Sequence, residues 1–389
     1  MNNDVKKIIF SRFFLSFSYG ALNVIVSIYL HFEGYNNLTI GVILSLGILI
    51  NAVMAFVFAI FADHFGRKYI LILILILFSI SSYLFVIIKN PYIISILIGI
   101  GGFTGIGGGP IGSGGATGTI MTAIISENVE RKNYSKILGI ASSIGIVGSI
   151  LGSFTITIFD IYNINYVNIF YLSIINGLIS ASIVLFIKDN KIRNPRLWPS
   201  ISWKKIIKLS IPTIPGGLSS GLIAPFFSLW FVERYQVSPG IVGAIFAISN
   251  IFTITTMVLL PYMISGNGKS ELNTIIITRG LGSLFLILIG LSPNILLASI
   301  FFILRNGFQM GSIPIRQSFS LGVVDEKERA TVSGATTLSR IGSTSLTPAL
   351  GSSIMNYSIE LPPILSGIVN IFDPLLYYLL FKKEFYNKN

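Results

Sequence analysis

Apolar residues in this chain come in long runs, and polar residues gather in short breaks between them. A helix needs about 20 apolar residues to cross the hydrocarbon core of a bilayer. Twelve runs meet that need: 8–31, 38–60, 69–88, 92–122, 136–159, 166–187, 206–231, 239–264, 272–291, 294–320, 331–356 and 362–381. The pattern predicts an all-α integral membrane protein with twelve transmembrane helices. The fourth run is longer than a span requires, so it is expected to tilt, kink or project beyond the bilayer. The first run follows a basic flank, is too long for a signal peptide and lacks a clear small-residue cleavage site. It reads as a retained membrane helix.

Charge orients these helices. With the N-terminus in the cytoplasm, the 27 Lys and Arg sort into twenty inside and two outside, Lys89 and Arg234. Five more lie within the runs: Arg12, Arg279, Arg305, Arg316 and Arg340. An excess of Lys and Arg in cytoplasmic loops is the positive-inside signature, so both termini are expected in the cytoplasm of a cell-membrane protein. The same bias accounts for the net charge of +12 without any nucleic-acid partner. The longest connection, 189–205, is basic and carries Pro195, Trp198, Pro199 and Trp203. It divides the chain into an N-terminal six-helix bundle (1–188), a cytoplasmic linker (189–205) and a C-terminal six-helix bundle (206–389).

Composition agrees. Charged residues make up 11% of the chain, against roughly 25% in soluble domains. Cysteine is absent, and the two histidines, His31 and His64, fall at run ends. No metal site and no cofactor is expected. A membrane-embedded transferase would need clustered carboxylates or a histidine pair, and no DxxxD or DDxxD occurs. Nothing suggests a channel's carbonyl filter or charge ring.

The stretch GIGGFTGIGGGPIGSGGATG, residues 99–118, contains a GxGxxG match. A dinucleotide fingerprint follows a strand and opens a soluble helix; this stretch sits inside an apolar run. Glycine lets membrane helices approach closely, and Pro110 leaves a carbonyl free. Two readings stay open: helix packing, or a deformable helix hinged at Gly109 and Pro110.

An internal repeat is visible. ENVERKNYSKILGI and DEKERATVSGATTL each carry Glu-Arg, Glu130-Arg131 and Glu328-Arg329, before a glycine-bearing helix. Gly139, Gly148 and Gly152, shifted by 195 positions, fall on Gly334, Ser343 and Thr347, followed by Pro348 and Gly351.

Between the second and third runs the chain reads AIFADHFGRKYILIL. The order Asp63-x-x-Gly66-Arg67-Lys68 resembles the cytoplasmic signature of the major facilitator superfamily, GxLaDrxGrkxxl, with Ala59 in place of its leading glycine. Physically, Gly66 permits a tight turn, Arg67 and Lys68 anchor to headgroups, and Asp63 can cap a helix or pair with an arginine. The repeated glycines resemble the superfamily's antiporter-associated pattern, GxxxxxxxxGxxxGPxxG, though Ser153, Ser343 and Thr347 depart from it. Arg12-Phe13, Tyr19-Gly20 and IPIRQSF look most like prokaryotic efflux-type permeases. The resemblance implies two pseudo-symmetric six-helix bundles and a monomeric secondary transporter of a small molecule, coupled to a proton or another ion. It implies that Asp63, Gly66, Arg67 and Lys68, with Glu130, Arg131, Glu328 and Arg329, form conformational latches. Helices one, four, seven and ten then line a central cavity.

Ionisable groups inside a membrane are functional candidates by default. On the tenth run, Arg305, Gln309, Ser312 and Arg316 recur at i, i+4, i+7 and i+11 and share one face. Arg12, Ser16, Tyr19 and Asn23 repeat that spacing on the first. The seventh offers Ser219, Phe226 and Trp230. Cavity candidates are therefore Tyr19, Asn23, Ser219, Phe226, Trp230, Arg305, Gln309, Ser312 and Arg316. Arg305 needs a partner: an anionic substrate, Asp373, or exposed carbonyls. Arg12, Arg279 and Arg340 lie near helix ends, where they can snorkel. Asp373 is the one acid well inside a run and the coupling candidate. Pro314 and Pro348 are further hinge candidates. The expected activity is export of small organic or amphipathic compounds by alternating access. The alternative is uptake or exchange of an anionic metabolite.

Overall fold

The computed structural model describes residues 3–104, 116–129, 134–188, 203–262, 268–323 and 329–385. All regular structure in these residues is helical. The hinge candidates Gly109 and Pro110, the latch candidates Glu130, Arg131 and Glu328, and most of the linker lie outside them, as do the side chains of Asp63 and Arg329. Ten described helical stretches are long and apolar enough to cross a membrane. The fourth and eleventh expected segments are the two not among them, and both are interrupted.

The helices form two compact units. Unit 1 comprises residues 1–195 and 225–247; unit 2 comprises 196–224 and 248–389. Unit 1 contains α1 (Asn3–Phe32), α2 (Asn37–Phe65), α3 (Arg67–Ile87), α4 (Pro91–Gly101), α5 (Ala116–Glu127), α6 (Tyr134–Ile161) and α7 (Val167–Leu185). It also takes in α10 (Phe227–Tyr235) and the first turns of α11 (Pro239–Tyr262). Unit 2 contains α8 (Trp203–Ser210), α9 (Thr213–Ile223), the remainder of α11, α12 (Gly268–Leu291), α13 (Ile295–Gly311), α14 (Ile313–Val323), α15 (Arg329–Ser345), α16 (Pro348–Tyr357) and α17 (Leu361–Phe385).

Proline explains most of the interruptions. Pro225 sits in a 3-10 turn between α9 and α10. Pro314 occupies the first turn of α14, just past the end of α13. Pro348 opens α16, where its missing N–H costs nothing.

Small residues set the helix spacing, and they do so twice. In unit 1, a Cβ on Gly20 of α1 would run into the backbone of Ser149 on α6. In unit 2, a Cβ on Gly221 of α9 would run into the backbone of Thr344 on α15. Positions 149 and 344 are 195 apart, the shift read from the sequence. The partners of the repeated glycines differ instructively. Gly148 and Gly152 abut the carbonyls of Phe13 and Phe17. Their counterparts Ser343 and Thr347 carry side chains, and the glycines have moved across the interface: Gly217 faces Ser343 and Gly221 faces Thr347. The Thr347 hydroxyl then donates to the Leu218 carbonyl at 2.8 Å. The antiporter-like pattern is broken in sequence, but the close approach it serves is kept.

Serines fasten these helices to one another and to α7 and α17. In unit 1, Ser11 and Ser180 each donate to the other's carbonyl at 3.2 and 2.7 Å. Ser149 and Ser153 donate to the carbonyls of Ser16 and Gly20 at 3.1 and 3.0 Å. In unit 2, Ser366 donates to the Ser219 carbonyl at 2.7 Å. Between apolar helices there is no hydrophobic drive to associate in lipid, so small residues and such bonds supply the specificity.

Candidate functional site

The most unusual local structure in unit 1 is the break in the fourth membrane segment. Asn90 caps α4 by accepting from the N–H groups of Tyr92 and Ile93, and Pro91 follows at the first helical position. The helix runs to Gly101 and stops at Gly102, whose φ of 75° is left-handed. Gly102 suits this place twice, since a Cβ there would also sit 2.9 Å from the Tyr19 hydroxyl. The next described helix, α5, begins at Ala116. Gly101 lies ten residues into α4, about 15 Å at 1.5 Å per residue, half the thickness of a hydrocarbon core.

A helix that ends at that depth leaves carbonyls without partners. Two side chains supply them. The Tyr19 hydroxyl of α1 donates to the Gly101 carbonyl at 3.0 Å. The Asn51 amide of α2 donates to the Gly99 carbonyl at 2.9 Å. Beside them lies a narrow cleft lined by Tyr19, Asn51, Met54, Phe58, Ile74 and Thr117, with free space on the scale of about one water molecule. Beyond the break, Phe103 is buried against Phe78 and Phe85 in edge-on contacts. Tyr19 was legible as a polar group on α1. Asn51 was missed, although a lone amide inside an apolar run is itself a signal.

Charge concentrates in unit 2. Asp373 on α17 is fully buried and forms an ion pair with Arg279 on α12. Gly216 on α9 makes room for the pair, for a Cβ there would strike the Asp373 carboxylate. Arg316 and Arg340 act on Arg279 as neighbouring like charges. These positions correct two expectations. Asp373 takes Arg279 rather than Arg305, and Arg279 is buried rather than snorkelling. Arg305 instead donates to Asn306 at 2.7 Å, and Asn306 donates to Ser249 at 2.8 Å. Arg12 likewise does not snorkel: it is fully buried, and none of its guanidinium nitrogens has a hydrogen-bond partner among the described residues.

The other candidates sort by surroundings. Gln309 and Ser312 are buried, and Arg316 and Asn23 are half-buried. Ser219 is engaged by Ser366. Phe226 and Trp230 are fully buried, and Trp230 packs edge-on against Phe227, Phe231 and Tyr235. In the loop between α2 and α3, Gly66 adopts φ 101°, the turn expected of it. Arg67 pairs with Glu127 at the end of α5 at 2.9 Å.

Two polar knots hold residues 225–247 within unit 1. Glu233 lies 3.3 Å from the His31 ring and accepts from Asn37 at 3.1 Å. Asp160 accepts from Tyr166 at 2.6 Å and from Ser238. Burial and that bond push the Tyr166 phenol above its ordinary value. Nearby, the hydrogen bond from Lys89 holds the Glu33 carboxyl below the usual carboxylate range.

A sequence profile of the Major Facilitator Superfamily matches residues 8–348. The chain belongs to the Major Facilitator Superfamily. It is 25% identical over 267 residues to a quinolone resistance protein, NorA, of Staphylococcus aureus strain MSSA476, and 26% identical over 269 residues to that of strain N315. In each case the match takes in 64% of this chain and 66% of the relative's length. Among solved structures, superfamily architecture recurs in a POT family peptide transporter in an auto-inhibited form (TM-score 0.78, 8% identity, 98% of this chain and 97% of that one). It recurs also in the nucleoside transporter NupG (TM-score 0.73, 13% identity, 98% and 100%). At such identities the likeness is one of fold. Superfamily membership and the apolar helices make this a multi-pass membrane protein.

Proposed function

We propose that this superfamily member is a secondary transporter that exports small organic or amphipathic compounds across the cell membrane by alternating access. The observation that carries the reading is the break in the fourth membrane segment at mid-depth, with Tyr19 and Asn51 holding its free carbonyls beside a narrow cleft. Transporter sites lie near the midplane at discontinuous helices, where unpaired backbone groups and polar side chains meet a solute. A mostly apolar lining with few polar groups suits amphipathic solutes. The resemblance to quinolone resistance proteins favours the outward direction.

In this reading two six-helix bundles, 1–188 and 206–389, rock about the site, joined by the basic linker 189–205. Both termini face the cytoplasm and the protein acts as a monomer. A proton or another ion drives transport, and the loop at Asp63, Gly66, Arg67 and Lys68 steadies one state.

The test is extrusion of amphipathic fluorescent dyes, one cationic and one anionic, from energised proteoliposomes. Tyr19→Phe and Asn51→Ala are expected to slow it severalfold while the purified variants keep their helical circular dichroism. Extrusion at the wild-type rate in both variants would remove the broken helix from the site.

A further inference from the structure

Unit 2 carries three arginines and one aspartate about two to three turns in from helix ends. Arg279 and Arg340 lie eleven residues in from the starts of α12 and α15. Asp373 lies twelve and Arg316 seven residues in from the ends of α17 and α14. At 1.5 Å per residue these depths are about 10 to 18 Å. The four groups are not equally accessible. Asp373 and Arg279 are buried, whereas Arg316 and Arg340 are half-buried. The ion pair is thus shielded, while the other two guanidiniums keep partial access.

The ion pair uses up that carboxylate. Arg316 leaves Nη1 without a hydrogen-bond partner. Among the described residues, no ion pair reaches Arg316 or Arg340. Helix α14, which carries Arg316, packs against both α12 and α15. On α9, Gly216 fits against Asp373, and Gly217 against the Arg340 backbone. Toward the helix ends the bundle is closed by a buried cluster that includes Leu209, Leu272, Ile275, Phe319, Tyr377 and Phe381. Two partly buried cations are thus held at depth, and the one buried carboxylate among the described residues of unit 2 is already paired.

We infer that Arg316 and Arg340 form an oxyanion site, taking the carboxylate or phosphate group of the transported solute, with the Arg279–Asp373 pair fixing its depth. Guanidinium presents a planar fork that matches carboxylate and phosphate oxygens. Such charge-assisted bonds are the strong ones. An anion there relieves the repulsion between the two arginines, whereas a cationic solute would add to it. Asp373 acts as the counter-ion that keeps Arg279 from competing for the solute. The inference rests on the transport reading and narrows its substrate class to amphipathic acids.

The experiment is thermal unfolding of the purified full-length protein in detergent. Benzoate is titrated against benzyl alcohol at constant ionic strength set with chloride, and inorganic phosphate is run in parallel. The expected result is a saturable rise in Tm with benzoate or phosphate and none with benzyl alcohol. Arg316→Gln and Arg340→Gln should each weaken that response by about tenfold or more, the scale of a lost charged hydrogen bond. Neither variant should fold less well without ligand, since each removes a repulsion. If one does, the wild-type comparison of benzoate, phosphate and benzyl alcohol decides alone. No anion-dependent rise in wild type, or a rise unchanged in both variants, overturns the site. A rise seen only with phosphatidylglycerol micelles and lost in the variants assigns the arginines to a lipid headgroup, and also overturns it. Dye extrusion separates the two claims. Extrusion without any anion response sinks the oxyanion site and keeps the exporter; an anion response without transport of any probe does the reverse.

Discussion

Asp373 offers a sharp test of how unit 2 is held together. Its carboxylate is fully buried, its partner Arg279 is 5% exposed, and Arg316 and Arg340 are like-charged neighbours of that partner. Asp373→Asn keeps the shape beside Gly216 but leaves Arg279 buried with no counter-charge. Removing one member of a buried pair costs roughly 3–5 kcal/mol, and the neighbouring guanidiniums place this site at the upper end. Arg279→Leu strands the aspartate instead and should cost a similar amount. The combination Arg279→Leu with Asp373→Asn removes both charges at once. Because desolvating two ions consumes much of what their attraction returns, the double variant should be more stable than either single one. Adding Arg340→Gln to Asp373→Asn should recover part of the loss by thinning the surrounding positive charge. The assay is unfolding in SDS followed by far-UV circular dichroism, with all four corners of the cycle measured. Additive losses in the double variant would refute the reasoning, since the two groups would then not be acting on each other.

Three further outcomes follow from the geometry. Gly152→Val and Gly221→Val each push a branched side chain into a facing helix backbone and should cost about 1–3 kcal/mol, read in the same unfolding assay; Gly334→Ala, with nothing within 4 Å of its Cβ, is the control and should be silent. Tyr19→Phe removes one hydrogen bond from the break in the fourth segment and should cost about 0.5–1.5 kcal/mol, while its effect on extrusion should exceed what that instability explains. Lys89 depresses the Glu33 carboxyl, so this group's stabilisation is present above the ordinary carboxylate pKa and is lost as pH falls through the depressed native value. The Tm difference between wild type and Glu33→Gln should accordingly be largest near neutral pH and vanish in acid; a difference that grows on acidification would contradict the assignment.

Much of this architecture is legible in the chain because bilayer helices obey simple arithmetic. Run lengths locate the segments, and Lys and Arg sort between the loops. The 195-residue shift is readable because small residues recur where backbones touch, and Gly20 against Ser149 with Gly221 against Thr344 shows what that recurrence is for. Partnerships were harder to read. Helical periodicity says which residues share a face, not which face they meet, so Asp373 stood as one of three partners open to Arg305. The structure gives Asp373 to Arg279, 94 positions earlier, because α12 and α17 pack against each other beside Gly216. Asn51 escaped for a different reason: its role depends on two carbonyls freed by a break, and a break in α4 makes no pattern in α2.

The exchange of glycines across the paired interfaces has a consequence for anyone rebuilding this protein from parts. In unit 1, Gly148 and Gly152 of α6 meet the carbonyls of Phe13 and Phe17 on α1; in unit 2, Gly217 and Gly221 lie on α9 and meet Ser343 of α15 and Thr347 just beyond its end. Each helix is cut to its own mate. Grafting the stretch from α15 to the start of α16 into the place of α6 would set Ser343 and Thr347 against carbonyls that tolerate only hydrogen, and the reverse graft would set glycine opposite glycine and leave a gap. The halves share one blueprint, yet their helices are interchangeable only as couples.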